Sequence, residues 1–129
     1  MRGFLFVAAS AETHEGGEFS VARGCLSSIA SPQFPCSVPL AIVARVDFDF
    51  DEAGDHPFDI AFLDDDLQRV HAPIAGTIHP TAGSPFFHTR AVDLRLRLAK
   101  PGNLLFRFTV DGVTLYEARL HVSARMEEL

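Results

Sequence analysis

Nine carboxylates fall between positions 47 and 66 with no lysine or arginine among them: Asp47, Asp49, Asp51, Glu52, Asp55, Asp59 and the triplet Asp64 to Asp66. Oxygen donors at alternate positions are the chemistry of a calcium loop, and Asp47-x-Asp49-x-Asp51 matches the first three ligand positions of an EF-hand. The match ends there, because the sixth position is Glu52 where the loop needs glycine for its turn. The twelfth is Phe58 where it needs a bidentate glutamate. Two acidic turns, 51–55 and 64–66, lie at opposite ends of the strand between them and are poorly placed to share an ion. The stretch is therefore expected to be a solvated strand face with acidic turns, and calcium is not expected as a partner.

The histidines are the second candidate: His14, His56, His71, His79, His88 and His121. Metal enzymes built on β-sandwiches of the cupin kind need a His-x-His pair, and none occurs here. His71, His79 and His88 would form a centre only if the links around Pro73 and Pro80 brought them together, so surface and turn histidines are the simpler expectation. Nucleophilic chemistry has no arrangement either. There is no Gly-x-Ser-x-Gly elbow, Ser27, Ser28 and Ser37 have no base near them in sequence, and Cys36 has no cation to stabilise a thiolate. Gly16-Gly17 suits a turn, and no phosphate-binding glycine motif is present. The chain is expected to be non-enzymatic, with no cofactor and no metal.

Charge restricts the partners. Eleven basic residues against seventeen acidic ones give a net charge of −6, which disfavours a nucleic-acid partner. One basic stretch, Arg90, Arg95, Arg97, Lys100 and Arg107, stands beside Phe86 and Phe87 and resembles a surface on which bases stack. However, Arg95 and Arg97 alternate with leucines, so they are expected on the outer face of a strand, opposite carboxylates of a neighbour.

The elements that must hold these residues follow a period of two, the signature of strands with one buried face. Leu40, Ile42, Ala44, Val46, Phe48 and Phe50 alternate with Arg45, Asp47 and Asp49. After 51–55 the pattern resumes at Phe58, Ile60 and Phe62, predicting a hairpin between the two segments. A strand over Val70 to Ile78 contains Pro73 and is expected at a sheet edge. Val92, Leu94, Leu96 and Leu98 form the next apolar face, then Phe106, Phe108 and Val110. Asp111-Gly112 is a strong two-residue hairpin signal. Its return strand is expected to bury Thr114, Tyr116, Ala118, Leu120 and Val122. Phe4 to Ser10 and Phe19 to Arg23 give two N-terminal strands, whereas 25–39, with Pro32, Pro35 and Pro39, is expected to be a loop. No helical window stands out. Seven to eight regularly spaced strands predict an all-β chain, an antiparallel β-sandwich, as a single domain over 1–123 with a frayed tail at 124–129.

Its 129 residues can bury a core without metal or disulfide staples. The apolar run at 4–9 is too short for a secretory leader, and no stretch reaches the ~20 apolar residues of a membrane span. A cytoplasmic location is expected, with Cys25 and Cys36 as free thiols. Leu5 and Val7 are apolar opposite Phe4 and Phe6, and Ala41 and Val43 are apolar opposite Leu40 and Ile42. Strands apolar on both faces need cover on both sides. That makes Leu5, Val7, Ala41 and Val43 the predicted contact surface for a second copy or another protein, unless the 25–39 loop folds over them.

In their order, Phe34-Pro35-Cys36, the strand Leu40 to Arg45 and the closing hairpin Pro101 to Leu115 resemble a family of small uncharacterised bacterial β-sandwich domains. The closing hairpin also resembles that of immunoglobulin-like modules. The resemblance implies a sandwich fold and brings no catalytic residue. The expected function is thus a protein-binding or assembly module. A small-molecule or carbohydrate-binding sandwich is the alternative, weakened by twelve phenylalanines, one tyrosine and no tryptophan.

Overall fold

A computed structural model describes residues 1–15, 18–80 and 87–125, and the chain is all-β. Ten strands occur among the described residues: β1 (Arg2–Ala8), β2 (Ser10–Thr13), β3 (Phe19–Ala22), β4 (Ser28–Ser31), β5 (Cys36–Asp47), β6 (His56–Leu63), β7 (Arg69–Ile78), β8 (Phe87–Leu98), β9 (Gly102–Val110) and β10 (Val113–Ala124). They form three sheets. One has the order β1-β5-β8, a second the order β4-β10-β9-β6-β7, and β2 and β3 pair with each other. No helix among the described residues is long and apolar enough to cross a membrane.

The two larger sheets share one core. Leu5, Val7, Leu40, Ile42, Ala44, Val46, Leu96 and Leu98 come from the three-stranded sheet. Phe58, Ile60, Phe62, Leu104, Phe106, Phe108, Val110, Leu120 and Val122 come from the five-stranded one. Phenylalanine fills this space because it carries no polar handle that needs a partner. Phe62 meets Phe106 edge-on at 5.5 Å between centroids, and Phe58 meets Phe108 at 6.4 Å.

The Asp111-Gly112 turn is as the dipeptide requires, with both residues at positive φ (54° and 77°) and β9 pairing with β10 across it. The predicted hairpin between 40–50 and 58–62 is overturned. β5 pairs with β1 on one side and β8 on the other, while β6 lies between β7 and β9, so residues 48–55 pass from one sheet to the other. The physical reason is that β5 is buried on both faces from Leu40 to Ala44, the mark of a central strand. Phe50, expected inward, lies beyond the end of β5 and is 89% exposed.

The 25–39 segment also differs from expectation. It contains β4, which pairs in parallel with the end of β10, Ile29 opposite Val122. β5 begins at Cys36, so Pro39 lies within a strand. Its missing donor is tolerated because β1 pairs with β5 only from Ala41 to Asp47. Pro73 is at an edge as predicted, since β7 is the outermost strand of its sheet. At the C-terminus Ser123 and Ala124 pair with Ala30 and Ser31, so Ala124, expected in a frayed tail, belongs to a strand; residues 126–129 lie outside the described residues. The expected turn glycines Gly16 and Gly17, and Phe86, also lie outside them. A β-bulge between Thr114 and Tyr116 breaks the alternation of β10. Leu115 packs on the core as a result, and Tyr116, expected inside, is 43% exposed.

Candidate functional site

The four residues expected to meet a partner are all interior. Leu5 and Val7 are 1% exposed and Ala41 and Val43 are fully covered within the chain, so that surface is not available. Leu5 and Val7 face the shared core. Ala41 and Val43 face the other way, and the cover there is the β2–β3 hairpin, where the 25–39 loop had been the alternative. β2 packs against β5 and β8. Phe19 at the start of β3 lies 5.9 Å from Phe6, and the Ala9 N–H donates to the Ala22 carbonyl at 3.1 Å, holding the hairpin back against the end of β1. The sequence supplies this cover locally, in alternating residues at 10–13 and 19–22 that form a short ladder of their own.

The acidic stretch is dispersed by the crossing at 48–55. Asp47 pairs with Arg45 at 2.9 Å. Asp49 and Glu52 each lie 3.0 Å from the Met1 ammonium. That ammonium donates a hydrogen bond to Asp49 and holds its carboxyl below the usual carboxylate range. Asp55 pairs with His79 at 2.5 Å. Asp64 accepts from the N–H groups of Asp66 and Gln68, closing the β6–β7 turn, and Asp65 accepts from the Asn103 N–H at 3.2 Å. These carboxylates serve as turn and strand-end partners.

The histidines each have separate partners. His71 lies edge-on to Phe62 at 5.2 Å and bonds the Ala72 carbonyl, His79 faces Asp55, and His121 meets Asn103 at 2.9 Å. His88 lines a small apolar cavity with Val46, Phe58, Ile78 and Arg90. His71, His79 and His88 thus stand apart, and no group of three or more metal-ligating side chains is placed to share an ion among the described residues. Burial, and then the neighbouring Arg90 charge, push the pKa of His88 below its ordinary value of 6.5. A histidine kept neutral by the fold costs stability as pH falls below the value it has when unfolded. His88→Leu is therefore expected to narrow the gap in melting temperature between pH 7 and pH 5. An unchanged gap would show that His88 takes up its proton freely in the folded chain.

One constellation escapes sequence reasoning because its members are 55 residues apart. The His56 ring at the start of β6 lies 2.6 Å from the Asp111 carboxylate through Nδ1 and 2.6 Å from the Glu52 carbonyl through Nε2. It also stacks on Phe48 at 4.7 Å between centroids. Both ring nitrogens thus face acceptors, a geometry that only the doubly protonated imidazolium satisfies, each N–H donating to one oxygen. Burial opposes the charge, but the bonds to Asp111 and Glu52 and the charges of both side chains outweigh it and raise the His56 pKa above its ordinary value. While protonated, the ring donates to both acceptors and acts as a staple joining the sheet crossing to the β9–β10 turn. Its only cue in the sequence was Asp111, read there as a turn residue.

The basic residues are divided between sheets. Arg107 on β9 reaches Glu117 on β10 at 3.7 Å. Arg45 lies over the Phe87 ring at 4.3 Å, and Arg90 over Phe58 at 5.5 Å. The expected carboxylate partners of Arg95 and Arg97 are absent from the neighbouring strand, where they face Pro39 and Ser37. Both are exposed on β8, the outer strand of its sheet.

At the end of the molecule where the 64–68 turn meets the 99–101 link, Asp64, Asp66, Arg97, Lys100 and Asn103 help line a cleft of about 80 Å³. Small-molecule sites span ~300–1,000 Å³, so this cleft suits a few waters or a single side chain. A shallow concavity on the hairpin is lined by β2 and β3 alone and gathers no convergent polar groups beyond Ser10, Glu12 and Ser20.

No curated protein and no solved structure matches the chain. A family model does so over residues 3–123, which runs from β1 into β10, and the chain belongs to that family, a family of unknown function (DUF6941).

Proposed function

We propose that the chain is a non-enzymatic protein-binding or assembly module of the cytoplasm, a two-layer β-sandwich with an immunoglobulin-like closing hairpin, to which partners add a strand along the outer edge of β8. The observation that carries this reading is the edge itself. β8 is 12 residues long, pairs with β5 along its full length and has no strand on its other side among the described residues. A row of backbone donors and acceptors with no neighbour is a template for another strand, and proteins that do not use such edges keep them short or interrupt them. Here β4 is four residues long and β7 carries Pro73. β8 has no proline, and its solvent face presents Asp93, Arg95 and Arg97 in alternation, which gives an added strand something to read beyond its backbone.

The test is selection of random strand-length peptides against the protein, followed by amide exchange of the complex. Selected peptides are expected to slow exchange of amides between Phe87 and Leu98. Peptides that protect other strands and leave β8 unchanged would sink the reading.

A further inference from the structure

We infer that the strand added to β8 is β8 of a second copy of this chain, running antiparallel about a two-fold axis at Leu94. The three-stranded sheets of two copies then join into one continuous sheet. This rests on the strand-addition reading above and names its partner.

The argument is one of register. In an antiparallel pair about a two-fold axis, residues facing each other across the strands have numbers with a constant sum. Only even sums keep Val92, Leu94 and Leu96 of both copies on the same face; an odd sum would set the core leucines against arginines. The charges decide among the even registers. With the axis at Asp93, two carboxylates face each other; with the axis at Arg95, Asp93 faces Arg97 twice but two guanidinium groups meet at the axis. With the axis at Leu96, Arg95 faces Arg97 of the other copy twice. With the axis at Val92, Asp93 faces Ala91 and no charged pair forms. With the axis at Leu94, Asp93 of each copy faces Arg95 of the other, Arg97 faces Ala91, and no like charges meet.

That register also supplies what Arg95 lacks in the single chain. Arg95 and Arg97 face Pro39 and Ser37 within their own sheet, so their guanidinium groups have no carboxylate across the ladder. A second copy brings Asp93 opposite Arg95 at the spacing where cross-strand ion pairs act, and does so twice by symmetry. A self-complementary charge pattern along an open edge is what a closed two-fold pair needs. An unrelated acidic strand would gain nothing from Asp93.

Sedimentation equilibrium of the purified protein tests this. The wild type is expected to show a monomer–dimer equilibrium in the micromolar range. Arg95→Asp sets carboxylates opposite each other at both positions and is expected to weaken the dimer about tenfold. The exchanged variant Asp93→Arg/Arg95→Asp restores opposite charges and is expected to recover wild-type association. Both positions are exposed, so folding of the variants is not at stake, and circular dichroism verifies it. A monomer at every concentration would overturn pairing with a second copy while leaving strand addition by peptides to its own test. A dimer indifferent to both charge changes would overturn the β8 register.

Discussion

Val43→Asp is expected to unfold the chain or bring it to the edge of unfolding, whether or not a partner is present. Val43 is fully covered and sits in the middle of β5, between β1 and β8, under the β2–β3 hairpin. An aspartate there has no cation opposite it, since its cross-strand neighbours are Phe6 and Ala91, and Arg45, two positions along the same face, is already held by Asp47. An uncompensated buried charge costs on the order of 3–5 kcal/mol, against a total stability of about 5–15 kcal/mol for a domain. Val43→Ala, which removes two methyl groups and no more, is expected to cost far less. Denaturant unfolding separates the two explanations of this apolar face. If the hairpin supplies the cover, the loss in Val43→Asp is the same at all protein concentrations. If a second molecule supplied it, the wild-type midpoint would rise with concentration and the variant's would not. A small loss with rapid amide exchange confined to 10–22 would mean that the hairpin lifts away and lets the carboxylate reach water.

That the sequence pointed to Val43 for the wrong reason shows what alternation encodes. Apolar residues on both faces of β5 correctly announced two layers of cover, because burial is a property of each position. The covering element is a matter of topology. The cover came from Ser10 to Thr13 and Phe19 to Ala22, which are nearly all exposed; Phe19 to Arg23 is legible as a strand, but nothing in so exposed a pattern tells which face it covers. The same limit explains the missed crossing. A five-residue link between two alternating segments is the right length for a hairpin, and nothing local distinguishes it from a passage between sheets. Asp111-Gly112 was legible because its information is local: two residues that tolerate positive φ, adjacent, between apolar strands. β4 was not, because four residues, Ser28–Ser31, gain their structure from parallel pairing with β10 some ninety positions away. The bulge at Thr114 to Tyr116 brought Leu115 onto the core by inserting one residue into the count, a change invisible to a period of two. The open edge of β8 and the staple at His56 belong to the same class. Each residue was noted for its type, but its neighbours are set by the sheet order.

The His56 staple leads to the second large effect, and its sign is fixed by the direction of the shift. The folded pKa of His56 is raised above the ordinary 6.5, so its contribution to stability is fully present below that value and is lost as pH rises through the folded pKa. Above that point the neutral ring can donate to only one of its two acceptors, and the other oxygen faces a lone pair at 2.6 Å. Wild-type stability is therefore expected to decline from about pH 6.5 upward by an amount that His56→Ala and Asp111→Asn each largely abolish. At pH 6, His56→Ala is expected to cost about 1–2 kcal/mol. The lower part of the range for charge-assisted bonds applies because the Asp111 side chain is 36% exposed and partly screened. The opposing titration of His88 separates cleanly, since its penalty grows below pH 6.5 and is absent above it. Asp111→Asn keeps the turn, as asparagine also accepts positive φ, so its loss reports the carboxylate and not the backbone. Guanidinium unfolding of wild type and both variants from pH 5 to pH 9 gives the result directly. Parallel stability curves above pH 6.5 would show that the folded chain holds the His56 proton no more tightly than the unfolded one, leaving one hydrogen bond and the Phe48 stacking to join the sheet crossing to the β9–β10 turn.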